Sequence, residues 1–318
     1  MTRDRLTYHD RHRGLDHQWF EHEPIFGRDP LTWPGGKPIA LWISVSGEFF
    51  PLSTPSEPFR PLGGFDRGYP DFWSYSNRDY GNRIGIYRIM RVLDGLGLQA
   101  TAALNSAAAK RYPRVIEELV RRNWEIAAHG LDMGHVHHGA LAIGEERSLI
   151  EEARDTLAQM SGLAVKGWLS PGRGESINTL RLLCECGFDY LADWANDDLP
   201  YMLNSDAGRI CSMPLTHELA DRFLLVHHHC TIEEYEHQVL QAFYTLKTEA
   251  ERYGGRILSL ALSPWVIGYP HRIAALERLL GTIMKSDAAW PATGIAIANA
   301  FTEQSRQIRP NVSGAVEM

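Results

Sequence analysis

Trp124-Glu-Ile-Ala-Ala-His129-Gly-Leu-Asp-Met133-Gly-His135-Val-His137-His138 reads as a short buried strand that runs out into histidines. Ile126, Ala127 and Ala128 form an apolar run behind a helix that ends near Arg122-Asn123, and Gly130 permits a sharp turn as the chain leaves the sheet. His129 therefore sits at a strand's carboxyl end. In folds with parallel strands, ligands and catalytic groups collect there because the following loops vary above a rigid sheet. A single histidine beside an apolar run is more often a hydrogen-bonded core residue. Four histidines within ten residues at one strand–loop junction favour a functional reading.

Working outward, Ile39 to Ser46 is a first strand, almost continuously apolar as a parallel strand covered on both faces should be, and it delivers Ser46, Gly47 and Glu48 to its end. Leu98 to Leu104 is the second, with Asn105 at its exit, and the His129 strand is the third. Val165 to Leu169 empties into Ser170-Pro171-Gly172-Arg173-Gly174. Asp189 to Trp194 ends in an acidic cluster of Asp193, Asn196, Asp197 and Asp198, Arg209 to Leu215 is a sixth strand, and Ile257 to Leu262 exits at Ser263-Pro264-Trp265. Between them lie helical stripes. One opens at Asp79 to Arg83, one carries Pro113 in its first turn, one is capped by Ser176, and the longest opens with the capping box Thr231-Ile-Glu-Glu234. Seven strands alternating with helices, without linker or repeat, imply an α/β barrel-like fold in a single domain spanning residues 1–318. Residues 1–37 are expected as an irregular arm and 305–318 as a loose tail. The proline- and aromatic-rich stretch Phe49 to Asn77 is long for a loop and is expected to be a packed lid or binding wall.

Composition narrows the function classes. Lys plus Arg is 32 and Asp plus Glu 39, a formal net charge of −7, with no long basic run, so neither nucleic acid nor an anionic membrane is an expected partner. The charged start lacks a signal-peptide core, no apolar stretch approaches membrane-spanning length, and four cysteines in so long a chain suit a reducing compartment; a cytoplasmic location is expected. The dinucleotide fingerprint and the phosphate-loop pattern are both missing. The strand exits collect Glu48, Asn105, His129, Arg173, Asp193 and Ser263 around one mouth, which suits hydrolysis better than redox chemistry. A carboxylate and a histidine can take a proton from water and deliver it to a leaving nitrogen, while Asn and Arg polarise a carbonyl or hold an anion.

These residues, with Arg78-Asp-Tyr-Gly-Asn-Arg-Ile-Gly-Ile-Tyr-Arg88, Glu125 to Gly130, Gly167-Trp-Leu-Ser-Pro171, Asp193-Trp-Ala-Asn-Asp-Asp-Leu-Pro-Tyr201 and Pro264-Trp-Val-Ile-Gly-Tyr-Pro-His-Arg272, resemble the polysaccharide deacetylase superfamily (carbohydrate esterase family 4, NodB homology). Within it, the chain looks most like the intracellular branch that includes metal-independent allantoinases. The resemblance spans residues 33 to about 300 and implies a distorted (β/α)7 barrel that hydrolyses a carbon–nitrogen bond other than a peptide bond. It also implies departures. Metal-dependent members carry two aspartates after the first strand, where this chain has Ser46-Gly47-Glu48. Their second metal histidine falls at Met133, a thioether and a poor ligand for hard or borderline divalent ions. A late-strand histidine, a candidate general acid, is replaced by Ser263. The resulting expectation is a deacetylase or allantoinase-like amidohydrolase on a small soluble amide, ureide or N-acetylated substrate. Glu48 is its general base and His129 orients water or serves as acid. Substrate contacts are expected from Asn105, Arg173, Asp193, Asp198, Trp265 and Ser263. No cofactor is expected; the alternative is a divalent metal such as zinc, held by His135 and His137 in a shifted loop. A homo-oligomer is expected from the resemblance. The competing reading is a non-catalytic ligand-binding protein on the same barrel, one that has lost its metal and acid residues.

Overall fold

Alternate residues of the first strand, β1 (Ile39–Gly47), face opposite ways, and this alternation decides what lies inside the sheet. Ile39, Leu41, Ile43 and Val45 enter an apolar layer shared with the outer helices, whereas Ala40 and Trp42 join a second cluster on the inner face. Both faces are buried, as the unbroken apolar run requires. Burying each of these large side chains contributes about 1.5–3 kcal/mol.

The computed structural model describes residues 17–21, 23–52 and 72–308. Eight further strands follow: β2 Thr101–Leu104, β3 Glu125–Ala128, β4 Gly167–Trp168, β5 Tyr190–Leu191, β6 Tyr201–Ser205, β7 Gly208–Ser212, β8 Arg256–Leu262 and β9 Ala289–Ala292. They form one curled sheet in the order β6-β7-β5-β4-β3-β2-β1-β8. On the side of β1 away from β8, its last residues pair with β2 and its first residues with β9, so β9 fills the gap below the short β2. The helices are α1 Phe72–Tyr80, α2 Ile86–Leu96, α3 Ser106–Arg111, α4 Pro113–Arg121, α5 Ile143–Ser161, α6 Thr179–Glu185, α7 Ile232–Tyr253, α8 Ile273–Lys285 and α9 Gly294–Ile308. None of the described helices is long and apolar enough to cross a membrane.

The distorted α/β barrel expected from the sequence is present, and all seven expected strands occur as its parallel members. Two strands were not foreseen. β6 pairs antiparallel with β7 across Asp206-Ala207, and its half-exposed, polar end (Asn204, Ser205) reads as loop in sequence. β9 contains Pro291, which argues against a strand except at an edge, and β9 pairs with β1 alone. Several strands are shorter than their apolar runs, β4 and β5 being two residues each. The capping box of α7 forms as read: the Glu234 N–H donates to Thr231 Oγ1 at 3.2 Å and the Thr231 N–H to Glu234 Oε2 at 2.7 Å. Ser176 does not cap α6, which starts later. Its hydroxyl instead donates to Glu146 and accepts from the Asn178 N–H. α9 runs to Ile308, so residues 305–308 are helical, while 309–318, residues 1–16 and 22 of the expected 1–37 arm, and most of the Phe49 to Asn77 wall lie outside the described residues.

The helix expected to open at Asp79 begins by Phe72 and passes through a π-helical turn, Gly81–Gly85, before α2. That turn lies backbone to backbone on the loop after β8. A Cβ on Gly85 would stand 2.0 Å from the Pro264 carbonyl oxygen, and one on Gly81 2.7 Å from the Trp265 nitrogen. The obstruction is main chain, which cannot rotate away. Gly85→Ala is therefore expected to cost about 3 kcal/mol, read as a clear fall in thermal midpoint. An unchanged midpoint would mean that helix and loop are not in contact.

Candidate active site

The inner-facing parity of β1 carries on past its end, so that Ser46 and then Glu48 follow Trp42 and Ser44. In β3 the inner set is Glu125, Ala127 and then His129. The registers Gly47↔Leu104 and Leu104↔Ala128 bring the three strand ends level, and Glu48, Asn105 and His129 each step off the sheet at the same height. Hydrogen bonds from Asn105 N–H to Gly47 O and from His129 N–H to Leu104 O, both 3.0 Å, fix that step. Glu48 and His129 are almost fully buried, at 7% and 3% exposure, yet both line one pocket of about 60 Å³.

His129 Nε2 lies 3.8 Å from Glu48 Oε1, and its Nδ1 is 2.7 Å from the Leu169 carbonyl oxygen. A carbonyl only accepts, so Nδ1 carries a proton, and Nε2 is the ring nitrogen that faces Glu48 and the pocket. Glu48 Oε1 also meets Arg222 Nη1 at 3.4 Å, and Oε2 accepts from Trp265 Nε1 at 3.1 Å. Burial opposes ionisation of Glu48, but His129, Arg222 and Trp265 outweigh it and hold the carboxyl down to about 2.

The motifs around this pair act as its scaffold. Asn82, in the π-helical turn, donates to the Glu48 carbonyl at 2.7 Å, Arg88 donates to Gly268 O at 2.8 Å, and Tyr80 stacks on Tyr269 with centroids 4.3 Å apart. Arg78 lies over the Phe50 ring at 4.0 Å. Asp221 takes main-chain N–H bonds from Ser263, Ile267 and Arg222, which ties the loop bearing Trp265 to the helix bearing Arg222. Glu125, at the opposite end of β3, accepts from Thr101, Tyr190 and the Ile295 N–H, holding the start of α9.

The expected site residues fall into separate groups. Glu48, His129, Arg173 and Ser263 line the pocket. Asn105 does not: it is fully buried, its Oδ1 accepts from Phe49 N–H at 2.8 Å and its Nδ2 donates to the His129 carbonyl, so it joins the two strand ends. Trp265 reaches Glu48 from behind. The Asp193 carboxylate is committed to Ser170, accepting from N–H at 2.7 Å and Oγ at 2.8 Å. Asp198 is exposed and outside the pocket, and its neighbour Asp197 pairs with Arg28 at 2.5 Å. Strand position alone had grouped these carboxylates, but side-chain direction divides them. Two pocket residues were missed. His217, packed on Phe223, follows the exit of β7, where the strand-end rule could have found it. Arg222 sits further into the same connection, just before the π-helical turn Phe223–His227, and nothing in its local sequence marks it. Burial and the neighbouring Arg173 push the His217 imidazole down, toward its neutral form.

The residues do not fit the His-His-Asp metal site of metal-dependent relatives. Beside His129 stand the Met133 thioether, which lines the pocket, and the Arg222 guanidinium, a fixed cation already seated against Glu48. The alternative ligands diverge: His135 Nδ1 is 2.8 Å from Asp132, and the fully buried His137 Nδ1 is 3.0 Å from Glu146. Among the described residues, no three His, Cys, Asp or Glu side chains gather as a metal would require. A larger groove of about 900 Å³, bordered by Arg28, Asp197 and Tyr201, shares no residue with the Glu48 pocket.

A level row of strand ends thus carries a carboxylate–histidine pair in a curled α/β sheet. Residues 65–191 match the family model for polysaccharide deacetylase. A putative polysaccharide deacetylase from Schizosaccharomyces pombe is 23% identical over 243 residues, 70% of this chain and 74% of its own length. Among solved structures, Puue allantoinase is 26% identical with a TM-score of 0.78, covering 92% of this chain and 99% of the allantoinase. A probable polysaccharide deacetylase from Pseudomonas aeruginosa PAO1 is 27% identical with a TM-score of 0.78, covering 90% and 99%. The chain thus carries a match to the polysaccharide deacetylase model over residues 65–191, and the structures similar to it include an allantoinase and a probable polysaccharide deacetylase.

Proposed function

We propose that this protein hydrolyses a carbon–nitrogen bond other than a peptide bond in a small soluble amide or ureide, with Glu48 and His129 acting as one proton-handling unit. The observation that carries this reading is the 3.8 Å approach of His129 Nε2 to Glu48 Oε1 at the wall of a shared pocket. A carboxyl held at about 2 is by itself a weak proton acceptor at neutral pH, since base catalysis is best when the acceptor's pKa lies near the working pH. His129 Nε2, when it carries no proton, is the second acceptor at the site. A water donating to Nε2 and to Glu48 presents its lone pairs outward, to an acyl carbon in the pocket. As the water oxygen bonds to that carbon, its proton passes to Nε2, and the resulting imidazolium is stabilised by the facing Glu48 carboxylate. The C–N bond then breaks with its electron pair leaving on nitrogen, which takes the proton back from Nε2. One residue thus serves as base and then acid, which removes the need for a histidine at Ser263. The neutral His217 ring offers an N–H to polarise the acyl oxygen.

The test is a panel of ureides, N-acyl amides and N-acetylated sugars incubated with purified protein, with and without added divalent metal. Turnover of a small amide or ureide that strong chelators leave intact is the expected result. Activity that requires a stoichiometric, tightly held metal would overturn these roles for Glu48 and His129. Binding of panel members without any turnover would favour a non-catalytic ligand carrier.

A further inference from the structure

Arg173 is held in an unusual way. It closes the turn Pro171–Arg173 with φ of 55°, a left-handed conformation that side chains other than glycine rarely adopt, and the turn is anchored by Ser170 on Asp193. Its guanidinium donates to two main-chain carbonyls, Leu215 O at 2.7 Å and Asp193 O at 3.4 Å, and among the described residues it forms no ion pair. The Asp193 carboxylate faces Ser170 instead. Arg222, on the same pocket wall, is already matched by Glu48. With Glu48 ionised and His217 neutral, the lining carries one guanidinium that forms no direct ion pair among the described residues, Asp193 and Glu218 acting on it only at longer range. A guanidinium has five N–H donors in a planar fork suited to two oxygens, and carbonyls satisfy only part of it.

From this guanidinium in the pocket wall, held by carbonyls and lacking a direct ion pair among the described residues, we infer that the substrate is an anion: an amide or ureide that also bears a carboxylate, which docks on Arg173 while the scissile group lies against Glu48 and His129. The inference rests on the hydrolase reading above and narrows it from neutral amides to N-acyl or N-carbamoyl acids. Two oxygens on the fork supply the direct ion pair that Arg173 lacks among the described residues. The small pocket volume suits a compound of few atoms.

The experiment compares N-acetyl and N-carbamoyl α- and β-amino acids with their primary-carboxamide counterparts, following cleavage at the bond both share. The wild-type protein is expected to prefer the acid by about 10- to 100-fold in kcat/KM, mainly through KM, the scale of one charge-assisted hydrogen-bonded contact. In Arg173→Gln that preference is expected to fall to near unity. Because Arg173 also braces the Leu215 carbonyl, the wild-type comparison is decisive without any variant. Carboxamides cleaved as well as the acids would overturn the inference while leaving the hydrolase reading intact. Calorimetry with the same acids on Glu48→Gln, with and without Arg173→Gln, separates the opposite failure. Acids that bind, lose affinity with Arg173→Gln and are never cleaved support the anion site and remove the hydrolase reading. Neither binding nor cleavage of any acid overturns the inference.

Discussion

Glu48→Gln is expected to fold and to slow hydrolysis by about 10²- to 10⁴-fold, the range typical of losing positioned acid–base assistance. Gln keeps the shape and the acceptor for Trp265 Nε1 but removes the negative charge that stabilises a proton on His129. The loss should therefore fall mostly on kcat. The pH behaviour follows from the depressed value of Glu48, about 2 against an ordinary 4.5. A carboxyl whose folded pKa lies below its unfolded one contributes stability that is present above about pH 4.5 and is lost as pH falls toward 2. That acid-side loss should be smaller in Glu48→Gln. Equally, any acidic limb in the rate profile between pH 5 and 7 belongs to a group other than Glu48. Retention of the rate within about twofold, with an unchanged acid limb, would remove Glu48 from the chemistry.

Why the pair is legible in the sequence, and its surroundings are not, comes down to range. Glu48 and His129 end runs whose apolar character shows their burial, and period-two alternation together with parallel pairing then forces both to the same side at the same height. Local sequence suffices for both. Asn105 obeys the same geometry, yet its amide is drawn to Phe49 and to the His129 carbonyl, because a buried amide must satisfy its groups wherever partners lie. Asp193 is taken by Ser170 in the same way, 23 residues earlier in the chain. Arg222 reaches Glu48 across 174 residues, and no spacing rule encodes that contact. Strand β6 and the proline-bearing β9 escaped for a different reason. They are edge-like elements whose burial comes from the arm, from α6 and from β1 rather than from an apolar pattern of their own.

Asp221 shows how much of the site depends on such an unmarked residue, and Asp221→Ala is expected to be the most destabilising single change near the pocket, by about 3–5 kcal/mol. Its fully buried carboxylate accepts the N–H groups of Ser263 at 3.0 and 2.9 Å, Ile267 at 3.3 Å and Arg222 at 2.6 Å. Alanine leaves those three donors buried and unmatched, and each such group costs about 1–3 kcal/mol. The loop they anchor carries Trp265, and the helical turn carries Arg222, so two of the three groups that hold Glu48 ionised lose their footing together. Activity should fall along with the thermal midpoint. Burial pushes Asp221 up to about 7, against the pull of those N–H groups, so the folded protein binds this proton more tightly than the unfolded chain does. A group raised in this sense contributes stability that is complete below its unfolded value near 4 and is lost as pH rises through about 7. The gap in thermal midpoint between wild type and Asp221→Ala should therefore be widest near pH 5 and narrow by pH 8. A gap that widens over that interval would show that the carboxylate is bound ionised, its N–H donors outweighing its burial.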